Sequence, residues 1–150
     1  MTSIANRLDR PLEILLAEDS PTDAELTREA LATCDAPHRV HLVADGVAAL
    51  DFLLRKPPYG EAPRPDLIFL DLKMPRKDGH DVLAELKAHD DLKTIPVIVL
   101  TTSVAEPDVR QAYRHHANTY VTKPLDFGQF VETMQRIAEY WFQIATLPSS

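Results

Sequence analysis

The chain has 150 residues, of which 45 % are apolar and 26 % are charged, so it has room for one globular domain of ordinary composition. Its 16 lysines and arginines against 23 aspartates and glutamates give a net charge of −7, which disfavours a broad surface for nucleic acid or anionic membrane. Apolar runs are short, residues 1–11 are polar, and the single cysteine, Cys34, cannot form an internal disulfide. We therefore expect a cytoplasmic protein that neither spans a membrane nor binds DNA.

Five short apolar runs mark the predicted strands. Three of them are rich in Val, Ile and Leu without polar alternation, which is typical of parallel strands covered on both faces. The segments between the runs have helical spacing. This alternation predicts an α/β fold, a single doubly wound (βα)5 domain with a five-stranded parallel sheet. The predicted strands cover residues 12–17, 40–43, 67–70, 97–100 and 119–121.

A predicted helix follows each strand. The first runs from Thr22 to about Thr33 and opens on a capping box at residues 22–25. The next two follow Asp45-Gly46 and Gly79, the fourth covers about 106–116, and the last runs from Asp126 to about residue 145. Residues 56–65 contain four prolines, which exclude a helix or central strand and predict a surface loop. We assign 1–11 to an N-terminal tail, 12–145 to the domain and 146–150 to a C-terminal tail.

Polar side chains follow four of the five predicted strands. Glu18 and Asp19 follow the first strand, Asp71 the third, Thr101 the fourth and Lys123 the fifth. Ligands bind at the carboxyl ends of the strands in an open α/β sheet, so these side chains are expected to meet. Three clustered carboxylates require a cation, and oxygen ligands alone suit Mg²⁺. A carboxylate beside that metal can attack phosphorus while a lysine and a hydroxyl hold the phosphoryl oxygens, so the set predicts aspartyl phosphorylation.

Four segments that carry these residues resemble the receiver domain of two-component response regulators. They are residues 15–20, 67–75, 97–101 and 121–124, and the resemblance covers about residues 12–140. It implies the flavodoxin-like strand order 2-1-3-4-5. It also implies that Asp71 accepts a phosphoryl group from a phosphohistidine on a sensor histidine kinase.

The same resemblance implies roles for the neighbouring residues. Mg²⁺ would be held by Glu18, Asp19, Asp71 and the backbone carbonyl of Lys73, and Thr101 and Lys123 would bind the phosphoryl oxygens. Thr101 would move toward the phosphoryl group, and Tyr120 would fill the space it leaves, forming a switch. The peptide bond before Pro124 would be cis.

Three further features resemble the single-domain regulators that serve bacterial and cyanobacterial phytochrome kinases. They are the proline-rich loop, the Leu-Thr-Thr-Ser segment at 100–103 and the closing segment at 140–148. This resemblance implies a bacteriophytochrome as kinase partner and red/far-red light as the upstream signal. The last predicted helix runs nearly to the end of the sequence, so we expect output through a downstream phosphotransfer or target protein, or through self-association.

Lys73 and Ser103 flank the expected phosphoryl site, at positions that tune hydrolysis in the family. A cationic Lys73 would hold the phosphate or discourage a basic water, so we expect only slow autodephosphorylation.

The alternative to a signalling receiver is an enzyme, an aspartate-nucleophile phosphatase of the haloacid dehalogenase (HAD) type. Such enzymes carry a second aspartate two residues after the nucleophile, where this chain has Lys73. A flavin site of flavodoxin type is disfavoured because Glu18 and Asp19 would repel a phosphate.

The last predicted helix carries more apolar side chains than a small core can receive. The apolar side chains of its first turns are expected to pack in the core, whereas the aromatic residues at its end point in several directions around the helix. Exposed apolar patches with aromatic anchors usually mark interfaces, so we predict a homodimer through the fourth helix, fifth strand, fifth helix and tail. The candidate contacts are Val109, Tyr113, Tyr120, Trp141, Phe142 and Leu147. The histidines, His80 included, show no metal-ligand spacing.

Overall fold

The described part of the chain folds into five strands that alternate with five helices. The computed structural model describes residues 10–34 and 36–144, the last two by their backbone alone. The strands are β1 (Leu12–Ala17), β2 (His38–Val43), β3 (Leu67–Leu70), β4 (Val97–Thr101) and β5 (Thr119–Thr122). The helices are α1 (Pro21–Ala32), α2 (Gly46–Leu53), α3 (Gly79–Ala88), α4 (Glu106–Arg114) and α5 (Phe127–Glu139), and a π-helical turn (Tyr140–Ile144) continues α5.

The five strands form one parallel sheet in the order β2-β1-β3-β4-β5, which confirms the predicted fold. Residues of β1, β3 and β4 are buried throughout, because helices cover both faces of these inner strands. From β1 the chain moves first to β2 on one side and then to β3 on the other. The point where the strand order reverses therefore lies between the carboxyl ends of β1 and β3, where such folds bind ligands.

Alternate residues along the strands supply two separate core layers. One layer lies against α2 and α3 and contains Leu15, Ile68 and Val99. The other lies against α1 and α5 and contains Leu16, Phe69 and other buried strand residues. Of the residues in α4, only Ala112 is buried, so this helix is held to the domain by little apolar contact.

Two local predictions about helix starts and loops can be compared with the structure. The predicted capping box at Thr22 is wrong, because α1 starts at Pro21 and Ser20 is the N-cap, accepting a hydrogen bond from the backbone N–H of Asp23 at 3.2 Å. Proline is favoured at the first helical position, where its missing N–H is not needed. The 56–65 segment is a loop as predicted, and Tyr59 and Ala62 within it pack against the α2/α3 core layer.

The prediction of a cis bond before Pro124 is wrong for this structure. The cis peptide bond within the described residues joins Pro57 to Pro58 instead. A bond before proline favours trans by only about 0.5–1 kcal/mol, so the Lys-Pro pair permits either isomer and does not determine which one forms.

The aromatic residues at the end of α5 divide between core and surface. Phe142 is 0 % exposed, and its ring centroid lies 5.3 Å from that of His38. It therefore cannot anchor an interface, and that part of the dimer prediction is wrong. Tyr140 is exposed and Trp141 is half-buried. The physical reason is spacing, since Phe142 continues a buried row of residues four apart, Phe130, Met134 and Ala138.

Several predictions fall on parts of the chain outside the described residues. These are most of the tail at 1–11, the tail at 146–150 and the interface candidate Leu147. No helix within 10–34 and 36–144 is both long enough and apolar enough to cross a membrane.

Candidate functional site

The carboxyl ends of four strands bring the predicted polar residues to one edge of the sheet. Glu18 and Asp19 follow β1, Asp71 follows β3, Thr101 ends β4 and Lys123 follows β5. Because these strands are parallel neighbours, their ends lie side by side. Four of the side chains are buried, and Asp19 is exposed. The result is a mostly buried polar cluster that faces solvent at Asp19.

Three carboxylates of this cluster form a group with the geometry of a cation site. One carboxylate oxygen each from Glu18, Asp19 and Asp71 lies within 4.8 Å of the others. Such close negative charges repel one another unless a positive charge lies between or beside them. The donors are all oxygen, which suits a hard divalent cation such as Mg²⁺. The side chains present therefore fit a divalent metal.

The segment after β3 holds Asp71 in place from two sides. The backbone N–H of Lys73 donates to Asp71 Oδ1 at 3.2 Å, while the Lys73 side chain is exposed. The N–H of Gly79 donates to the carbonyl of Leu72 at 2.8 Å, and a Cβ at Gly79 would lie 2.3 Å from the Asp71 carbonyl oxygen. The start of α3 therefore packs directly on the backbone of Asp71, which only glycine permits. Metal ligation by the Lys73 carbonyl stays a prediction.

The ammonium group of Lys123 lies among the carboxylates. It donates hydrogen bonds to Glu18, to Asp23 Oδ2 at 3.0 Å and to Asp71 Oδ2 at 3.1 Å. Burial alone would lower the pKa of Lys123, but the bonds and charges of Glu18, Asp71 and Asp23 outweigh burial and raise it. Lys123 is therefore positively charged at neutral pH and adjacent to the predicted phosphoryl acceptor.

Within this cluster, Glu18 is the carboxyl group whose pKa is raised, which favours its neutral form. Burial raises the pKa of Glu18 from 4.5 to about 7, with Lys123 opposing the shift and Asp71 adding to it. Positive charge brought near Glu18 favours its ionised form. Proton loss from Glu18 and cation binding at this cluster are therefore linked.

Asp23 is a member of the cluster that the sequence analysis missed. It lies in the first turn of α1, where the sequence pattern predicts only a helix cap. A carboxylate is favoured at a helix N-terminus in any protein, so this position alone does not single it out. The available signal was its closeness in sequence to Glu18 and Asp19, directly after β1.

The two predicted switch residues lie on neighbouring strands. Thr101 is fully buried, and Tyr120 is partly buried with its ring turned toward the loop after β4. The Tyr120 hydroxyl donates to the carbonyl of Ser103 at 3.0 Å, and the Tyr120 N–H donates to the Tyr113 hydroxyl oxygen at 3.2 Å. Burial raises the pKa of Tyr120, so the hydroxyl keeps its proton as a donor. Switching by these residues stays a prediction.

A second polar network lies beside the cluster, and the sequence analysis missed it as well. The Ser103 hydroxyl donates to Asp108 Oδ2 at 2.6 Å, and Nε2 of His80 lies 3.1 Å from Asp108 Oδ1. Hydrogen bonds from Ser103 and His80 lower the pKa of Asp108, so its carboxylate is ionised. These three residues come from α3, the β4–α4 loop and α4, and nothing in their sequence spacing signals the contact.

The remaining interface candidates lie in α4, in β5 and just after the end of α5. Tyr113 is 49 % exposed, and Val109 and Trp141 are half-buried. Tyr140, which was not among the candidates, stacks edge to face on Trp141 with ring centroids 5.4 Å apart. Both α4 and the end of α5 therefore carry exposed aromatic side chains, and their use in a dimer stays a prediction.

Comparison with known proteins gives a consistent result. Residues 14–135 match the family described as response regulator receiver domain. Response regulator Rcp1 from Synechocystis sp. is 45 % identical over 140 residues, which cover 93 % of this chain and 95 % of Rcp1. The crystal structure of Mn²⁺-bound Rcp1 matches with a TM-score of 0.91, covering 93 % of this chain and 100 % of that one.

Two further solved structures come from proteins of the same kind. The phosphorylated cyanobacterial phytochrome response regulator RcpA is 45 % identical, with a TM-score of 0.90 over 93 % of this chain and 99 % of its own. The bacteriophytochrome response regulator RtBRR is 39 % identical, with a TM-score of 0.73 over 93 % of this chain and 83 % of its own. These matches are to a signalling family and not to a catalytic enzyme family, so the phosphatase alternative is not supported. The chain belongs to the response regulator receiver domain family and is closely related to Rcp1 and to the phytochrome response regulator RcpA.

Proposed function

We propose that this protein accepts a phosphoryl group on Asp71 from the phosphohistidine of a sensor histidine kinase. The observation that carries the proposal is the position of Lys123, whose ammonium lies 3.1 Å from Asp71 Oδ2 inside a cluster of carboxylates. A buried cation beside one carboxylate provides charge for the phosphoryl oxygens that would be attached there.

The chemistry requires positioning more than covalent catalysis. A carboxylate oxygen of Asp71 attacks phosphorus, an O–P bond forms as the N–P bond of the donor breaks, and the donor imidazole leaves with the electron pair. Charge on the three phosphoryl oxygens is met by the Lys123 ammonium and by a hydrogen bond from the Thr101 hydroxyl. Such transition states are loose, so fixed charges and donors supply most of the rate enhancement.

Mg²⁺ is the cofactor that this function requires. Glu18, Asp19, Asp71 and the backbone carbonyl of Lys73 would hold it, and it would supply charge neutralisation between the carboxylates and the phosphoryl oxygens. The clustering of the three carboxylates within 4.8 Å supports the site, and the similar protein Rcp1 binds Mn²⁺ in its crystal structure.

The upstream partner in this proposal is a bacteriophytochrome kinase that responds to red/far-red light in the cytoplasm. RcpA and RtBRR are phytochrome response regulators, and their likeness extends over 93 % of this chain. A downstream phosphotransfer or target protein would read the phosphorylated state.

Lys73, which is exposed and follows the acceptor Asp71 by two residues, would slow autodephosphorylation. Lys73→Asn is expected to shorten the half-life of the phosphoprotein, and an unchanged half-life of seconds would contradict this role.

We propose that the protein can also signal by self-association through α4, β5 and α5. Tyr113 in α4 and Tyr140 after α5 are exposed, Trp141 is half-buried, and aromatic residues dominate interface energies. Light scattering at high micromolar concentration, with and without beryllofluoride, tests this, and a monomer in both conditions would refute it.

Phosphotransfer from purified kinases tests the proposed function directly. Radiolabelled bacteriophytochrome kinase is mixed with the wild-type protein and with Asp71→Asn, in Mg²⁺ and in excess chelator. Label is expected on the wild-type protein only, and only with Mg²⁺. Asp45→Asn is the matched control, since Asp45 is an acidic helix cap outside the cluster and its loss should leave labelling unchanged. Label that survives Asp71→Asn would move the phosphorylation site elsewhere.

A further inference from the structure

Ser103 makes one hydrogen bond through its backbone and one through its side chain, and these bonds link Tyr120 to Asp108. Its carbonyl receives the Tyr120 hydroxyl at 3.0 Å, and its hydroxyl donates to Asp108 at 2.6 Å. Ser103 lies only two residues after Thr101 and is buried. Any change in how Asp108 holds Ser103 therefore moves the acceptor of the Tyr120 hydroxyl.

The start of α4 depends on this same serine. The N-cap of α4 is Ala105, which has no side chain for capping, and the N–H of Ala105 donates instead to the Ser103 hydroxyl at 3.2 Å. Since Ala112 is the one buried residue of α4, apolar packing holds this helix weakly. The contacts of Ser103 and Asp108 therefore determine much of the position of the α4 N-terminus.

His80 connects the Ser103–Asp108 contacts to the acceptor loop, which is the segment 71–78 between β3 and α3. His80 follows Gly79, the residue whose backbone packs on that of Asp71, and its Nε2 lies 3.1 Å from Asp108 Oδ1. Its other ring nitrogen, Nδ1, is buried and has no hydrogen-bond partner in the described structure. In the neutral ring the carboxylate places the hydrogen on Nε2, so among the described residues the polar contact of this half-buried ring is with Asp108.

We propose that His80 is a positioning residue that holds Asp108, and through it Ser103, so that the acceptor loop at Asp71 and the side chain of Tyr120 move together. The coupling rests on the proposed function at Asp71, and it adds α3 as the element that transmits the state of that site to α4 and β5. His80 acts through its hydrogen bond to Asp108, a charge-assisted contact that fixes geometry as well as adding energy.

The length of the side chain at position 80 provides a matched pair of variants. In His80→Gln the amide nitrogen reaches the place of Nε2 and still donates to Asp108. In His80→Asn the shorter amide ends near the place of Nδ1 and cannot reach the carboxylate. The two variants thus remove the same ring and differ in the one hydrogen bond that the proposal depends on.

Tyrosine NMR on the full chain measures the coupling, because the sequence contains only 4 tyrosines. With ring-¹³C tyrosine, the Tyr120 signal is assigned from Tyr120→Phe and recorded with and without beryllofluoride. His80→Asn is expected to shift the resting signal and to reduce its response to beryllofluoride at least about twofold, while His80→Gln keeps both near wild type. Phosphorylation by acetyl phosphate should slow about threefold to tenfold in His80→Asn and less than about twofold in His80→Gln.

The possible results separate the two proposals. Equal behaviour of His80→Asn and His80→Gln, or an unshifted Tyr120 signal in His80→Asn, would overturn the role of His80. If His80→Asn does not fold, Ser103→Ala breaks the same network from the other end and must shift Tyr120 for the role to stand. Absence of label at Asp71 in the wild-type protein would contradict the proposed function alone, because the resting Tyr120 signals still test the network.

Discussion

Replacing Lys123 with methionine should destabilise the protein because it leaves neighbouring carboxylates without their cation. Lys123 is 4 % exposed and bonded to Glu18, Asp23 and Asp71. Removing one partner of a buried ion pair costs about 3–5 kcal/mol, and methionine keeps most of the lysine volume, so little packing is lost. Because the pKa of Glu18 is about 7, this carboxyl is partly neutral at pH 7 and the lower end is expected. A loss of about 3 kcal/mol lowers Tm by about 6–12 °C in a chain of this length.

Urea unfolding at pH 7 and pH 5, without and with Mg²⁺, measures this effect. The loss should be smaller at pH 5, which lies below the pKa of about 7 of Glu18, so that this carboxyl is neutral, and Mg²⁺ should restore stability at pH 7 by supplying the missing positive charge. Lys87→Met is the control, since half-buried Lys87 donates to the carbonyls of Lys93 and Ile95. Its loss of stability should depend on neither condition. A Lys123→Met loss that is equal at both pH values and insensitive to Mg²⁺ would refute the reasoning.

Three further predictions follow from single contacts. Below the pKa of about 7 that burial gives Glu18, a proton competes with the metal, so Mg²⁺ affinity by calorimetry should fall up to about tenfold per pH unit below pH 7 and level off above it. Gly79→Ala should cost about 2 kcal/mol or more in thermal unfolding, because the new Cβ would lie 2.3 Å from the Asp71 carbonyl oxygen. Phe142→Ala should cost about 3–5 kcal/mol of stability, whereas Tyr113→Ala, which removes the acceptor of the Tyr120 N–H, should cost about 0.5–1.5 kcal/mol and weaken any dimer seen by light scattering.

The fold and most of the site were predictable because each depends on local patterns. Buried parallel strands appear as unbroken apolar runs, and the residue after each run lies at the ligand-binding edge by topology alone. Asp71 and Lys123 needed no knowledge of side-chain packing to be placed at one edge. Their hydrogen bond, at 3.1 Å, required only that the carboxyl ends of β3 and β5 lie at the same edge of the sheet.

The missed residues are those whose roles arise from contacts between distant elements. Asp23 meets Lys123 across 100 residues of sequence, and His80 meets Asp108 across 28. Aspartate in the first turn of a helix is common for reasons of capping and dipole, so neither aspartate stands out in the sequence. The contact between His80 and Asp108 depends on how α3 packs against α4, which no spacing within either helix reveals.

The misplaced aromatic residue has a different cause. In the sequence, an apolar stripe along α5 can be drawn through residues that are three or four apart. A stripe drawn to Trp141 does not include Phe142, so it places Phe142 outside the core. The buried residues instead follow steps of four, through Phe130, Met134 and Ala138 to Phe142. Ala138 is small enough to be overlooked in an apolar stripe, yet it marks the buried face. The π-helical turn that begins at Tyr140 lies where this row meets α1 and β2.

The cluster around Lys123 contains more carboxyl groups than one ammonium group can neutralise. Even with Glu18 protonated, Asp19, Asp23 and Asp71 outnumber the one ammonium group. Phosphorylation of Asp71 would add negative charge at this point, so a divalent cation and the phosphoryl group should each strengthen the binding of the other. Lys123 would then exchange a carboxylate partner for the phosphoryl oxygens. Because Lys123 directly follows β5, that exchange would act on the strand that carries Tyr120, while His80 would act on the same tyrosine from α3 through Ser103. Disabling either path should therefore leave a partial response of Tyr120, and disabling both should reduce that response further than either change alone.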